Sequence, residues 1–163
     1  MLEPAKTALY VPVLTEIKDC DSRLPNHITI LFPFLNKNQI TQTVTQKLQD
    51  IAKNTTQTNT VFEKLQVFPS QHVVMLPKNI DYFMALINTI SNQFNITPYN
   101  GMFETIVPHM TVANMVQSKQ KERVIEKYEN FLPVTGTVCE LVLCETTGKP
   151  YPTLNRFKLN HDS

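Results

Sequence analysis

The sequence predicts an α+β domain in which a largely antiparallel sheet is covered by helices, and three observations predict it. Short β-branched and aromatic runs alternate with longer stretches of helical apolar spacing. Prolines and polar clusters fall between these runs rather than inside them. The resulting order, β-β-α-β-β-α-β-α-β-β, mixes hairpins with helical crossovers, which a purely parallel sheet would not.

The elements follow in chain order. Ala8 to Val13 is a short apolar run that reads as a strand, and His27 to Phe34 (HITILFPF) is a second one closed around Pro33. From Gln39 to Asn54 the residues Ile40, Val44, Leu48 and Ile51 recur at helical spacing, giving a first amphipathic helix. Val61 to Phe68 and His72 to Leu76 form a hairpin around Pro69 and Ser70. Phe83, Met84, Ile87, Ile90 and Phe94 mark a second helix from Asp81 to Phe94. Thr105 to Met115 returns to strand, Lys119 to Phe131 is a third helix, and Val134 to Cys144 and Thr153 to Leu159 close the chain as strands.

Size and composition bound the function. A chain of 163 residues with 42% hydrophobic and 18% charged residues suits one compact domain, residues 1–163, with a real core. Fifteen Lys plus Arg against 14 Asp plus Glu leave a net charge of +1, which argues against a protein that grips long nucleic acid. No window approaches the ~20 consecutive apolar residues of a membrane-spanning helix. The opening stretch carries Glu3, Lys6, Glu16, Lys18 and Asp19, so it lacks the apolar block of an export signal. The three cysteines, Cys20, Cys139 and Cys144, show no CxxC spacing, and Cys139 and Cys144 would face opposite ways on one strand. Reduced thiols and a cytoplasmic, monomeric protein with no membrane partner are the expectation.

The chemistry is concentrated in two short units. Leu24-Pro25-Asn26-His27-Ile28-Thr29-Ile30 is echoed by Val107-Pro108-His109-Met110-Thr111-Val112, and each copy precedes a helix. Residues i and i+2 of a strand point to the same face, so each unit offers one imidazole and one hydroxyl together. Two such units across a cleft supply what phosphodiester cleavage needs. One imidazole takes a proton from water or a 2′-hydroxyl, and the other gives one to the leaving oxygen. The Thr29 and Thr111 hydroxyls donate to the non-bridging phosphate oxygens. One H-x-T unit alone is most often a structural histidine; two, taking half of the four histidines, point to chemistry. No ligand cluster of recognisable metal spacing is present, and no metal or other cofactor is expected.

Three stretches resemble the 2′-5′ RNA ligase-like, two-histidine phosphoesterase superfamily. They are LPNHITILFPF (24–34), the run from Val73 to Asn114 that contains VPHMTVAN, and the closing pair from Cys139 to Leu159. The resemblance implies a bilobed fold with His27, Thr29, His109 and Thr111 in a central cleft. It also implies activity on 2′,3′-cyclic phosphates, 2′-5′ linkages or cyclic nucleotides, with a nucleotide or RNA end as partner. Many relatives carry an Arg or an aromatic residue five positions after the second histidine, where this chain has Asn114, a donor to phosphate without charge.

Other residues rank lower. Tyr10, Phe34, Tyr99, Phe103 and Tyr151 are candidates to stack on a base, Tyr151 foremost because its loop, KPYPT, runs beside the cleft in such proteins. Lys149 and Arg156 are the nearest basic candidates for phosphate. His72 belongs to neither motif. The alternative to an enzyme is a binding module that holds a nucleotide or RNA end in the same cleft without turning it over.

Overall fold

The computed structural model describes residues 6–114 and 116–161. Eight strands make one antiparallel sheet: β1 (Thr7–Pro12), β2 (His27–Leu31), β3 (Thr58–Val67), β4 (Val73–Pro77), β5 (Met110–Ala113), β6 (Val134–Val138), β7 (Glu140–Glu145) and β8 (Thr153–Lys158). Their order across the sheet is β6-β3-β4-β5-β2-β1-β7-β8. Three helices, α1 (Gln42–Lys53), α2 (Ile80–Phe94) and α3 (Lys121–Glu129), pack near β8, β2 and β3.

Strand alternation sorts the side chains cleanly. Leu9 and Val11 of β1, Ile28 and Ile30 of β2, Met75 of β4, Met110 and Val112 of β5, and Leu141 and Leu143 of β7 enter one large core with Leu48, Phe83, Ile87 and Ile90 from the helices. Burying each large apolar side chain stabilises the fold by about 1.5–3 kcal/mol. The intervening residues face the other way: Ala8, Tyr10, Val142 and Cys144 form a smaller cluster on the opposite side of β1 and β7. His27, Thr29 and Thr111 share that second face by the same alternation.

Local signals set the helix ends. Thr41 caps α1 by accepting a hydrogen bond from the Val44 amide at 3.3 Å. α2 buries Phe83, Leu86, Ile87 and Ile90 and stops at Asn95, whose left-handed φ of 53° ends the helix. The sheet also curls. Leu14, just past β1, exchanges two 2.9 Å backbone hydrogen bonds with Thr137 of the far edge strand. Gly136 lets the two come together, because a Cβ there would lie 2.4 Å from Val13 Cγ1. Thr56 and Asn160 form a second such bridge.

Two elements differ from expectation. The single strand expected from Val134 to Cys144 is two strands on opposite sides of the sheet: β6 pairs with β3, and β7 pairs with β1 and β8. Cys139 lies at the crossing, so Cys139 and Cys144 are not partners on one strand; all three cysteines are free. The strand expected from Thr105 to Met115 is confined to Met110–Ala113, since Gly101 to Thr105 is exposed and Pro108 cannot donate to a ladder; Met115 lies outside the described residues.

Candidate active site

The two H-x-T units meet at the centre of the sheet. β2 and β5 are antiparallel neighbours joined at Ile28 and Met110, the middle residue of each unit. Continuing that register by one residue each way sets His27 beside Thr111 and Thr29 beside His109. Both middle residues are fully buried in the core, so the flanking imidazoles and hydroxyls are turned to the opposite face of the sheet.

Each imidazole is held in the same way. His27 Nδ1 donates to the carbonyl of Pro25 at 2.8 Å, and His109 Nδ1 donates to the carbonyl of Val107 at 2.7 Å. A carbonyl only accepts, so both rings carry their proton on Nδ1 when neutral and leave Nε2 as the acceptor. Each ring also meets an aromatic edge: Tyr10 at 5.3 Å from His27, and Phe68 at 4.7 Å from His109. Burial pushes both imidazoles below their ordinary value, and the carbonyl bonds only partly offset this. His109 adds a smaller downward effect on His27, and His72 does so on His109.

The segment between β1 and β2 fixes the first motif and reaches across to the second. Asn26 donates from its amide to Asp19 at 2.8 Å and from its side chain to the Ile17 carbonyl at 2.8 Å, which pins the residue before His27. Cys20 donates its thiol to the Thr111 carbonyl at 3.2 Å, with burial raising its pKa. Asp21 accepts from Arg23 Nε at 2.9 Å and from Asn114 Nδ2 at 3.3 Å. The Arg23 guanidinium holds the Asp21 carboxyl down to about 2. Arg23 in turn lies over the Tyr151 ring, 5.8 Å from its centroid, and accepts the Tyr151 amide on its carbonyl at 2.9 Å.

Beside the first motif these contacts enclose a cavity of about 190 Å³. Tyr10, Arg23, Phe32, Tyr99 and Tyr151 line it together with His27 and Thr29. The Tyr99 phenol is raised by burial and comes close enough to the Thr29 hydroxyl for that contact to work against the rise. Tyr10 is pushed up to about 12, chiefly by burial. Of the expected site residues, His27, Thr29 and Tyr151 share the cavity. Thr111 sits on the adjoining strand β5 and His109 immediately before it, both outside its lining, and Asn114 is exposed and tied to Asp21.

Several weaker candidates fall elsewhere. Phe34 is buried in the main core against Phe94, with ring centroids 5.0 Å apart. Arg156 is paired with Glu140, and Lys149 is exposed and does not line the cavity. Asp21, Arg23 and Phe32 are not singled out by the sequence. Only their position immediately before and after the first H-x-T unit could have drawn attention to them. A larger depression of about 480 Å³ opens between α1 and α2, but its lining, Lys47, Asp50, Asn54, Thr89 and Gln93 among it, contains no histidine.

The profile of the 2′-5′ RNA ligase superfamily matches residues 14–150 of the chain. No curated protein sequence matches it significantly. Among solved structures, the fold is similar to a crystal structure of a phosphoesterase, with TM-score 0.55 and 14% identity over 96% of this chain and 99% of that one. It is similar to E. coli LigT complexed with 3′-AMP, with TM-score 0.56 and 14% identity over 96% and 99%. It is also similar to TT0787 of Thermus thermophilus, with TM-score 0.61 and 11% identity over 97% and 100%. At these identities the likeness is one of fold.

Proposed function

The chain belongs to the 2′-5′ RNA ligase superfamily, and on that premise we propose that it is a metal-independent phosphodiesterase using His27 and His109 as paired acid and base. Its substrate is a 2′,3′-cyclic phosphate, a 2′-5′ linkage or a cyclic nucleotide. The observation that carries this reading is the matched anchoring of the two rings: each uses Nδ1 on the carbonyl two residues before it, which leaves Nε2 as the acceptor.

A neutral Nε2 takes a proton from the attacking water or hydroxyl, and a protonated Nε2 gives one to the leaving oxygen. Thr29 and Thr111, brought beside the opposite histidine by the β2–β5 register, donate to the non-bridging oxygens. The cavity lies on the His27 side, and its tyrosines suit a nucleobase. A nucleoside held there sets its own oxygen nearest His27. His27 is then the acid toward that oxygen, and His109 is the base toward incoming water; the roles exchange in the reverse direction. That a fold relative was solved with 3′-AMP supports a nucleotide ligand. Three free thiols suit the cytoplasm. Among the described residues no helix is long and apolar enough to cross a membrane.

The test is turnover by purified protein in excess EDTA. The panel holds 2′,3′-cyclic nucleotides, 2′-5′ oligoadenylate and cyclic di- and trinucleotides. Cleavage of one class is expected. A folded protein that binds a panel member but cleaves none would replace the enzyme with a binding module.

A further inference from the structure

Beyond the mouth of the cavity the chain presents apolar side chains to water. Met102 is 78% exposed and Phe103 55% exposed. The segment carrying them is held, not slack. Tyr99, Asn100 and Gly101 take left-handed φ values of 53°, 55° and 77°, a conformation that non-glycine residues keep only where their surroundings enforce it. The Tyr99 amide donates to the Phe32 carbonyl at 2.7 Å, and the Met102 amide donates to the Tyr99 carbonyl at 3.1 Å.

The rings form a ladder leading out of the cavity. Phe32 and Tyr99 lie 6.5 Å apart and both line it; Tyr99 and Phe103 lie 5.3 Å apart, edge to face, and Phe103 stands outside. Between Thr97 and Val107 the one charged residue is Glu104, so this lip offers no cation to a phosphate. An aromatic face without positive charge suits a base. The cavity of about 190 Å³ is small beside the ~300–1,000 Å³ of ordinary ligand pockets, so a second nucleotide has to lie outside it.

We propose that Met102 and Phe103 form a platform for a second base, making the substrate a dinucleotide or an oligonucleotide end rather than a mononucleotide. One base fills the cavity beside His27, and its neighbour stacks on Phe103. This rests on the phosphodiesterase reading, whose site it extends.

The experiment compares kcat/KM on a 2′,3′-cyclic mononucleotide with kcat/KM on a dinucleotide ending in the same cyclic phosphate. Wild-type protein is expected to favour the dinucleotide. Phe103→Ala is expected to lower that preference about 5- to 150-fold, the range of one base–aromatic stack, while Phe103→Tyr keeps it. A preference unchanged in Phe103→Ala, with the variant folded by circular dichroism, overturns the platform and leaves the phosphodiesterase reading standing. If wild-type protein cleaves neither compound, calorimetric binding of the same two separates the claims. A dinucleotide preference lost in Phe103→Ala then upholds the platform and removes 2′,3′-cyclic phosphates as the substrate class, and no preference removes the platform as well.

Discussion

His27 stands beside Tyr10 on a strand whose flank opens into an aromatic cavity, whereas His109 stands beside Phe68 with His72 acting on it and lies outside that cavity's lining. At the backbone the two sites are near copies, each with a ring anchored to a carbonyl two residues back and a Thr two residues on. Their surroundings differ because different elements cover them. The segment between β1 and β2 brings Asp21 and Arg23 to the first, and the 97–106 stretch brings Tyr99. Under the proposed function the comparison separates two jobs: the repeated backbone would supply paired proton transfer, and the unrepeated loops would supply a place for one nucleoside. A symmetric cleft would bind either end of a diester equally; the cavity on the His27 side alone would give a diester a preferred orientation.

Removing either imidazole is the harshest way to break the comparison. His27→Ala and His109→Ala are each expected to lower kcat by about 10²–10⁴-fold with folding intact by circular dichroism. Equal losses support equivalent proton-transfer roles, and a variant with full activity contradicts them. Thr29→Ala and Thr111→Ala come next, at about 10- to 1,000-fold in kcat. The Thr29 change is expected also to raise KM, because Thr29 lines the cavity and Thr111 does not.

A pH series sharpens the comparison further. Burial lowers both imidazoles from an ordinary value of about 6.5. A reaction needing one neutral and one protonated ring then gives a bell-shaped kcat/KM with its maximum on the acid side of about pH 6.5. Stability follows the same shift. Below about pH 6.5 the unfolded imidazoles bind protons that the folded ones resist, so this contribution is complete above that pH and declines as pH falls through the folded values. The melting temperature is expected to drop over that window, and less so in His27→Gln. The smallest expected effect is Asp21→Asn. Its partner Arg23 is largely exposed, so stability changes by under about 1 kcal/mol. KM rises several-fold in steady-state assays, because Arg23 is no longer held over Tyr151.

How legible all this is in the sequence varies by residue. The His-x-Thr spacing is a period-2 signal in a β-rich context, and it brings the four residues to one face of the sheet. The break at Cys139 hides because apolar residues continue through it. Its trace is a change of parity: Val134 and Val138 enter the core from even positions, while Leu141 and Leu143 enter from odd ones. Arg23 is invisible for a different reason. Its loop has no periodicity, and its place beside Tyr151 depends on where residues more than a hundred positions apart come together. Arg156 has the charge that the sequence suggests for phosphate, yet Glu140 across the β7–β8 pair engages it.

The most direct test of the paired-histidine account is the double variant. Single-turnover rates in excess EDTA would be compared for His27→Ala, His109→Ala and His27→Ala/His109→Ala, with the best substrate of the panel. Residues that act as one unit are grossly non-additive, so the double variant is predicted to be no slower than the slower single one. Losses that multiply, or a rate in wild-type protein that EDTA abolishes, would contradict the account.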